Sequence, residues 1–175
     1  MYKKFLGLNL ILLFSLLLIS GCSQSEKVTI YYPINLNSNK NIGLVKESHN
    51  ISETDNKPKA ALNQLIHGKP HSKESYSVIP KETKIIDVSI NARIATVDFS
   101  REVLDHNSGA EGESLGINSI VFTLTEFDNI NKVKFTVEGK EKGTVGGKYI
   151  ENWWGHVTLS KQPFERDSRE KIIEP

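Results

Sequence analysis

Phe5 to Ile19 is dominated by Leu, Ile and Phe, follows a short cationic patch at Lys3 and Lys4, and runs into Ser20, Gly21 and Cys22, the only cysteine of the chain. This apolar core of about fifteen residues is shorter than the roughly twenty needed to cross a hydrocarbon layer, so it reads as a processed export signal rather than a permanent span. Everything downstream therefore has to fold outside the cytoplasm. With a single thiol, no disulfide can form within the chain, and the remaining residues, about 150 of them, must hold together by packing. A chain of that length buries an adequate core unaided, and one domain is the expectation.

Ile19-Ser20-Gly21-Cys22 resembles the bacterial lipobox, in which a branched residue and two small residues precede a cysteine that is alkylated before cleavage. The resemblance implies a lipoprotein signal peptide over residues 1–21, Cys22 as the mature N-terminus and lipid attachment site, and a polar tether over 22–27. A thioether-linked diacylglycerol carries two acyl chains, each contributing about 0.8 kcal/mol per buried methylene, and two chains anchor stably where one is marginal. The expected location is the extracytoplasmic face of the cell membrane.

With Lys3 and Lys4 set aside, 20 of the 22 basic residues remain against 21 acidic ones, scattered along the chain. Near-neutral charge with no basic helix or stripe excludes a nucleic-acid footprint.

Along the mature chain, Val28 to Tyr32 alternates β-branched and aromatic residues and predicts a first strand stopped by Pro33; Ile42 to Glu47 predicts a weaker second strand, with polar chain from His49 to Asn56. A helix follows, capped by Asp55 or Asn56, with Pro58 in its first turn, Gly68 in a left-handed C-terminal position and Pro70 beyond. Ala61, Leu62, Leu65 and Ile66 form its buried stripe. Lys84 to Ile90 and Arg93 to Phe99 predict a hairpin turning at Asn91-Ala92, with Ile86, Val88 and Ile90 facing one way on the first strand and Ala95, Val97 and Phe99 facing one way on the second. Ile117, Ile120, Val121 and Leu124 fall at i, i+3, i+4 and i+7, which predicts a second helix over residues 112–128 despite the β-branched residues there. Val133, Phe135 and Val137 alternate as a further strand, Gly143 to Gly147 is a turn, 148–164 a C-terminal extension, and 165–175 a charged, disordered tail.

Three patterns suggest chemistry. Gly112-Glu113-Ser114-Leu115-Gly116 matches the G-x-S-x-G nucleophile elbow, with Asp128 and His156 in serine-hydrolase order; the polar loop before it cannot deliver Ser114 on a strand, so no catalytic residue is assigned. Gly143 to Lys148 lacks the leading glycine and the Ser or Thr of a phosphate-binding loop. His67 and His71 are four apart, but Gly68 and Pro70 break the helix that would align them, and His49 and His106 stand elsewhere; no metal or cofactor is expected. Trp153 and Trp154, neighbours on an extended segment, should point to opposite faces, one of them into the core. Trp153 or Tyr149 would serve the alternative reading of a ligand- or glycan-binding lipoprotein.

The order strand, helix, hairpin, helix, strand resembles the GerMN domain of sporulation and spore germination lipoproteins. It is carried by Ala61-Leu62-Asn63-Gln64-Leu65-Ile66-His67-Gly68-Lys69-Pro70, Ile79-Pro80-Lys81-Glu82-Thr83-Lys84-Ile85-Ile86, Ala95-Thr96-Val97-Asp98-Phe99-Ser100, Ser119-Ile120-Val121-Phe122-Thr123-Leu124-Thr125-Glu126-Phe127 and Val133-Lys134-Phe135-Thr136-Val137-Glu138-Gly139. Glu82 and Ala92 stand where the pattern commonly has glycine. The resemblance implies a domain over residues 28–147 of α+β class, with a small, mainly antiparallel sheet and two helices on one face, similar to ring-building motifs. It also implies a non-catalytic module that contacts other envelope or sporulation proteins or further copies of itself.

Overall fold

The computed structural model describes residues 25–36 and 41–174; the apolar run and Cys22 lie outside them. Strand β1 (Ser25–Leu36) pairs antiparallel with β2 (Asn41–Ser52) along its whole length, from Ser25 opposite Ser52 to Leu36 opposite Asn41. Both strands outrun their expected ends. Pro33 does not stop β1 because its carbonyl accepts the Tyr76 N–H on the strand's outer side, so the position without an N–H faces away from β2 and no ladder bond is lost. His49, expected in a loop, lies within β2.

Helix α1 (Lys57–His67) starts where the sequence places it. The Asn56 side chain accepts the Lys59 N–H at 3.0 Å and Pro58 occupies the first turn. Ala61, Leu62, Leu65 and Ile66 are buried, as the stripe predicts. Gly68 departs from expectation, with extended backbone at φ −72° rather than a left-handed turn. Its role is clearance, because a Cβ there would lie 2.0 Å from Gln64 Nε2.

Strands β3 (Ile85–Asn91) and β4 (Ile94–Phe99) form the expected hairpin with the turn one residue later, at Ala92-Arg93. Both turn residues have positive φ, +46° and +63°, as the tight two-residue turn requires. Asn131 and Lys132 donate backbone N–H groups to the Arg93 carbonyl, and the Arg93 guanidinium donates to Asn131 Oδ1 at 2.9 Å, which holds a non-glycine residue in that conformation. An irregularity between Ile85 and Asp87 changes the face pattern. Ile85 and Val88 are buried, while Ile86 and Ile90 are 45% and 38% exposed, so Ile86 does not share the face of Val88 as expected.

Helix α2 (Gly109–Leu124) begins three residues before its expected start and ends four before its expected end. Ile117, Ile120, Val121 and Leu124 enter the main core, and Leu115 and Phe122 pack with Tyr31 and Leu44 in a smaller cluster. Buried on nearly every side from Leu115 onward, it is a core helix rather than a surface one. It also covers the outer edge of β1: buried Thr123, a poor helix former, accepts the Tyr31 N–H at 3.0 Å through its hydroxyl.

After α2 the chain enters β5 (Lys132–Val137), parallel to β4 in register from Ile94 opposite Lys132. The small hairpin of β6 (Thr144–Val145) and β7 (Lys148–Tyr149) turns at Gly146-Gly147, with φ of +57° and +82°. The rest of the C-terminal stretch returns to the core. Phe164 exchanges backbone hydrogen bonds with Val133, and the Gln162 amide bonds both the N–H and the carbonyl of Phe135. The final residues, expected as a disordered tail, include β8 (Ile172–Ile173), parallel to β2 at Leu44–Val45. The α+β class is as the sequence indicates, with the longer strands divided between two three-stranded sheets that share one hydrophobic core with both helices.

Candidate functional site

Ser114 is exposed on the second turn of α2, and the helix runs on from it for about 15 Å to Leu124, at 1.5 Å per residue, before the turn that carries Asp128. His156 does not serve Ser114. Its partner is Glu113, fully buried one residue earlier, which accepts the backbone N–H groups of His156 and Val157 at 2.8 and 3.1 Å and lies 3.0 Å from His156 Nδ1. The elbow-like sequence thus builds a clamp between α2 and the chain beyond Trp154. Burial pushes the Glu113 carboxyl up, but the His156 side chain and the two N–H donors outweigh it and hold the group below the ordinary glutamate value.

Lys148, in the glycine-rich stretch, is bound to the Leu104 carbonyl at 2.8 Å and to Asp105 at 2.9 Å, so its ammonium ties the β6–β7 hairpin to the turn after β4 instead of facing a phosphate. Trp153 and Trp154 are both 3% exposed, which corrects the expectation that one faces solvent. Trp153 has φ +43°, and this turn removes the alternation of an extended strand. Trp153 stacks on Phe135 at 5.5 Å, Trp154 donates its indole N–H to the Val103 carbonyl, and neither offers a face to a sugar. Tyr149 alone of that group is exposed.

A third cluster was not visible in the sequence. Glu47 and His49, two apart on β2 and so on one face of the strand, are both 7% exposed, with His49 Nε2 2.7 Å from Glu47 Oε2. The chain following α1 places His71 over them. Its backbone N–H donates to Glu47 Oε2 at 2.8 Å, its Nδ1 stands 3.7 Å from the same oxygen, and its ring stacks on His49 at 4.2 Å. Ser72 N–H donates to Glu47 Oε1, and the Gln64 side-chain amide, reaching across Gly68, lies 3.0 Å from His49 Nδ1. Burial raises the Glu47 carboxyl, but the His71 N–H, the His49 ring and the Ser72 N–H bring it below the ordinary value. His67, four residues before His71, is exposed and apart from this group, and His106 packs edge-on against Trp154. Only a β2 longer than its apolar pattern could have revealed the set, since it places His49 next to Glu47.

On the flank of the β3–β4 hairpin, Ile90 and half-buried Phe127 line a shallow cleft with Val88, Pro58 and Asn56. The outward carbonyls of Ile86 and Val88 accept from Lys59 Nζ and Asn56 Nδ2, so the start of α1 blunts the edge of β3 and leaves isoleucine side chains as its exposed part.

Residues 29–143 match the family described as Germane, sporulation and spore germination. Spore germination protein GerM of Bacillus subtilis (strain 168) is 30% identical over 118 residues, covering 63% of this chain and 31% of that protein. The tandem GerMN domains of the sporulation protein GerM from Bacillus subtilis superpose with a TM-score of 0.57 at 28% identity, over 73% of this chain and 45% of theirs. The first of those domains alone gives 0.55 at 27% identity, over 78% of this chain and 98% of its own. A candidate lipoprotein from Clostridium perfringens gives 0.54 at 20% identity, a likeness of fold. The chain thus spans about a third of the curated relative's length.

Proposed function

This chain belongs to the sporulation and spore germination (GerMN) family, and from that membership we propose that it is a lipid-anchored assembly module of the cell envelope, non-catalytic and working through contact with other proteins in sporulation or germination. The observation that carries the reading is the family match over residues 29–143, joined to the lipobox-like Ile19-Ser20-Gly21-Cys22 at the other end of the tether. Cys22 is the lipid attachment point, and diacylglycerol holds the body at the extracytoplasmic membrane face. The side chains suited to contact are Ile90, apolar and exposed at the Phe127 cleft, and Ile86, exposed further along β3, and the occupant is another envelope protein.

Two measurements test this. In Cys22→Ala, incorporation of labelled palmitate should vanish, whereas the wild type should be labelled and enter the detergent phase on phase partitioning; labelling that persists in the variant removes the lipid claim. In a strain deleted for the gene, wild type should restore the yield of heat-resistant spores and their germination, whereas the Ile86→Asp, Ile90→Asp double variant, with wild-type circular dichroism, should not. Full complementation by that variant places the contact elsewhere, and a deletion without phenotype overturns the assembly role itself.

A further inference from the structure

We propose that Glu47, His49 and His71 form a binding site for one divalent transition-metal ion of the zinc type. The three residues offer one carboxylate oxygen and two imidazole nitrogens, all within 4.8 Å of one another. Bonds of 2.0–2.2 Å in a tetrahedron set neighbouring donors about 3.4 Å apart. His49 Nε2 and His71 Nδ1 stand 2.7 and 3.7 Å from Glu47 Oε2, on either side of that spacing, so an ion needs only small movements to enter. Two nitrogens and one oxygen suit zinc, copper or nickel, and are poor partners for magnesium or calcium, which take oxygen.

The surroundings are those of a supported site open on one side. Glu47 and His49 are buried and oriented: the carboxylate by the His71 and Ser72 N–H groups, the imidazole by Gln64 at its far nitrogen. A partner at the non-ligating nitrogen is the usual means of aiming a ligating histidine. The His71 side chain is 65% exposed and can turn its ring out of the stack toward the ion, leaving the fourth position to water. In the tautomer with its proton on Nε2, His49 donates to Glu47, 2.7 Å away, while Nδ1 accepts from the Gln64 amide at 3.0 Å. On binding, the proton moves to Nδ1 and the amide turns over so that its oxygen accepts, which leaves the Nε2 lone pair for the ion with no change in net protonation.

The test uses the detergent-solubilised full chain, dialysed against zinc chloride alone, with bound metal measured per protein. Wild type should retain one zinc, and cobalt in its place should give the intense visible absorption of a tetrahedral site. His71→Ala, at an exposed position, should fold normally and bind at least about tenfold more weakly. Gln64→Ala, which touches no metal, should lose about 10–100-fold in affinity. His67→Ala, an exposed histidine outside the cluster, should bind as wild type does. Retention of no zinc by wild type, or equal binding by His71→Ala and wild type, overturns the proposal; the first leaves the cluster a hydrogen-bonded staple and the second makes the binding adventitious.

Discussion

Phe135→Ala should lower the free energy of unfolding by about 3–5 kcal/mol, and for a domain of this size should drop the melting temperature by about 10 °C or more. Phe135 is fully buried on the central part of β5, where its ring meets Phe99 edge-on at 5.7 Å, Trp153 face-on at 5.5 Å and Phe164 at 5.6 Å. Truncation removes the ring's transfer free energy and leaves a cavity that three separate chain segments, those of Phe99, Trp153 and Phe164, would have to move to fill. The backbone around it is pinned by Gln162, which holds both Phe135 polar groups, so collapse is restricted and the upper part of the range is expected. Denaturant unfolding followed by tryptophan fluorescence checks it, since Trp153 reports on the altered contact. Phe164→Ala, at a partly buried position, serves as the comparison and should cost less. Equal midpoints for Phe135→Ala and wild type would mean that this aromatic stack does not hold the two ends of the domain together.

The parts of the fold legible in the sequence are those written locally. Asn56, Pro58 and the Ala61, Leu62, Leu65, Ile66 stripe declare α1 because capping, proline tolerance and periodicity all act within a few residues. Val133, Phe135 and Val137 declare β5 in the same way, and all three are fully buried. What could not be read depends on distant chain. Pro33 reads as a stop unless it is known that its N-side faces Tyr76 rather than β2. The charged composition near the C-terminus masks Ile172–Ile173, which become a strand only because Leu44 and Val45 offer an edge. Thr123 argues locally against a helix, yet its hydroxyl is what closes the edge of β1.

The candidate sites follow the same division. Ser114, Asp128 and His156 satisfy a spacing rule, but spacing says nothing of direction, and α2 points Ser114 outward while turning Glu113 toward His156. His67 and His71 share a short spacing and never meet, whereas His49 and His71, far apart in the chain, stack. For Trp153 and Trp154, assuming an extended backbone divides the pair between two faces, and one residue at positive φ brings both inside.

Glu113→Ala should cost about 2–4 kcal/mol, because a fully buried side chain is removed and the half-buried His156 and Val157 N–H groups lose their acceptor, an orphaned donor carrying a penalty of about 1–3 kcal/mol. The buried carboxylate joins α2, inside the matched residues 29–143, to chain beyond them, so the loss should also loosen Trp154, which lies against Gly116 one turn further along. Glu113→Gln separates charge from packing. In the wild type the folded carboxyl is held below the ordinary glutamate value by His156 and the two N–H donors, against burial. A depressed folded pKa means that the stabilisation is fully present above the unfolded value of about 4.3 and is lost as pH falls through the folded one. Gln cannot titrate, so that variant should be less stable than wild type near neutral pH and should lose less on acidification. Glu47, depressed by the same kind of donors, leaves it a shallower acid limb rather than none. Thermal melts between neutral pH and pH 3, read by tryptophan fluorescence, measure both slopes, and parallel slopes for Glu113→Gln and wild type would show that folding does not lower the Glu113 pKa.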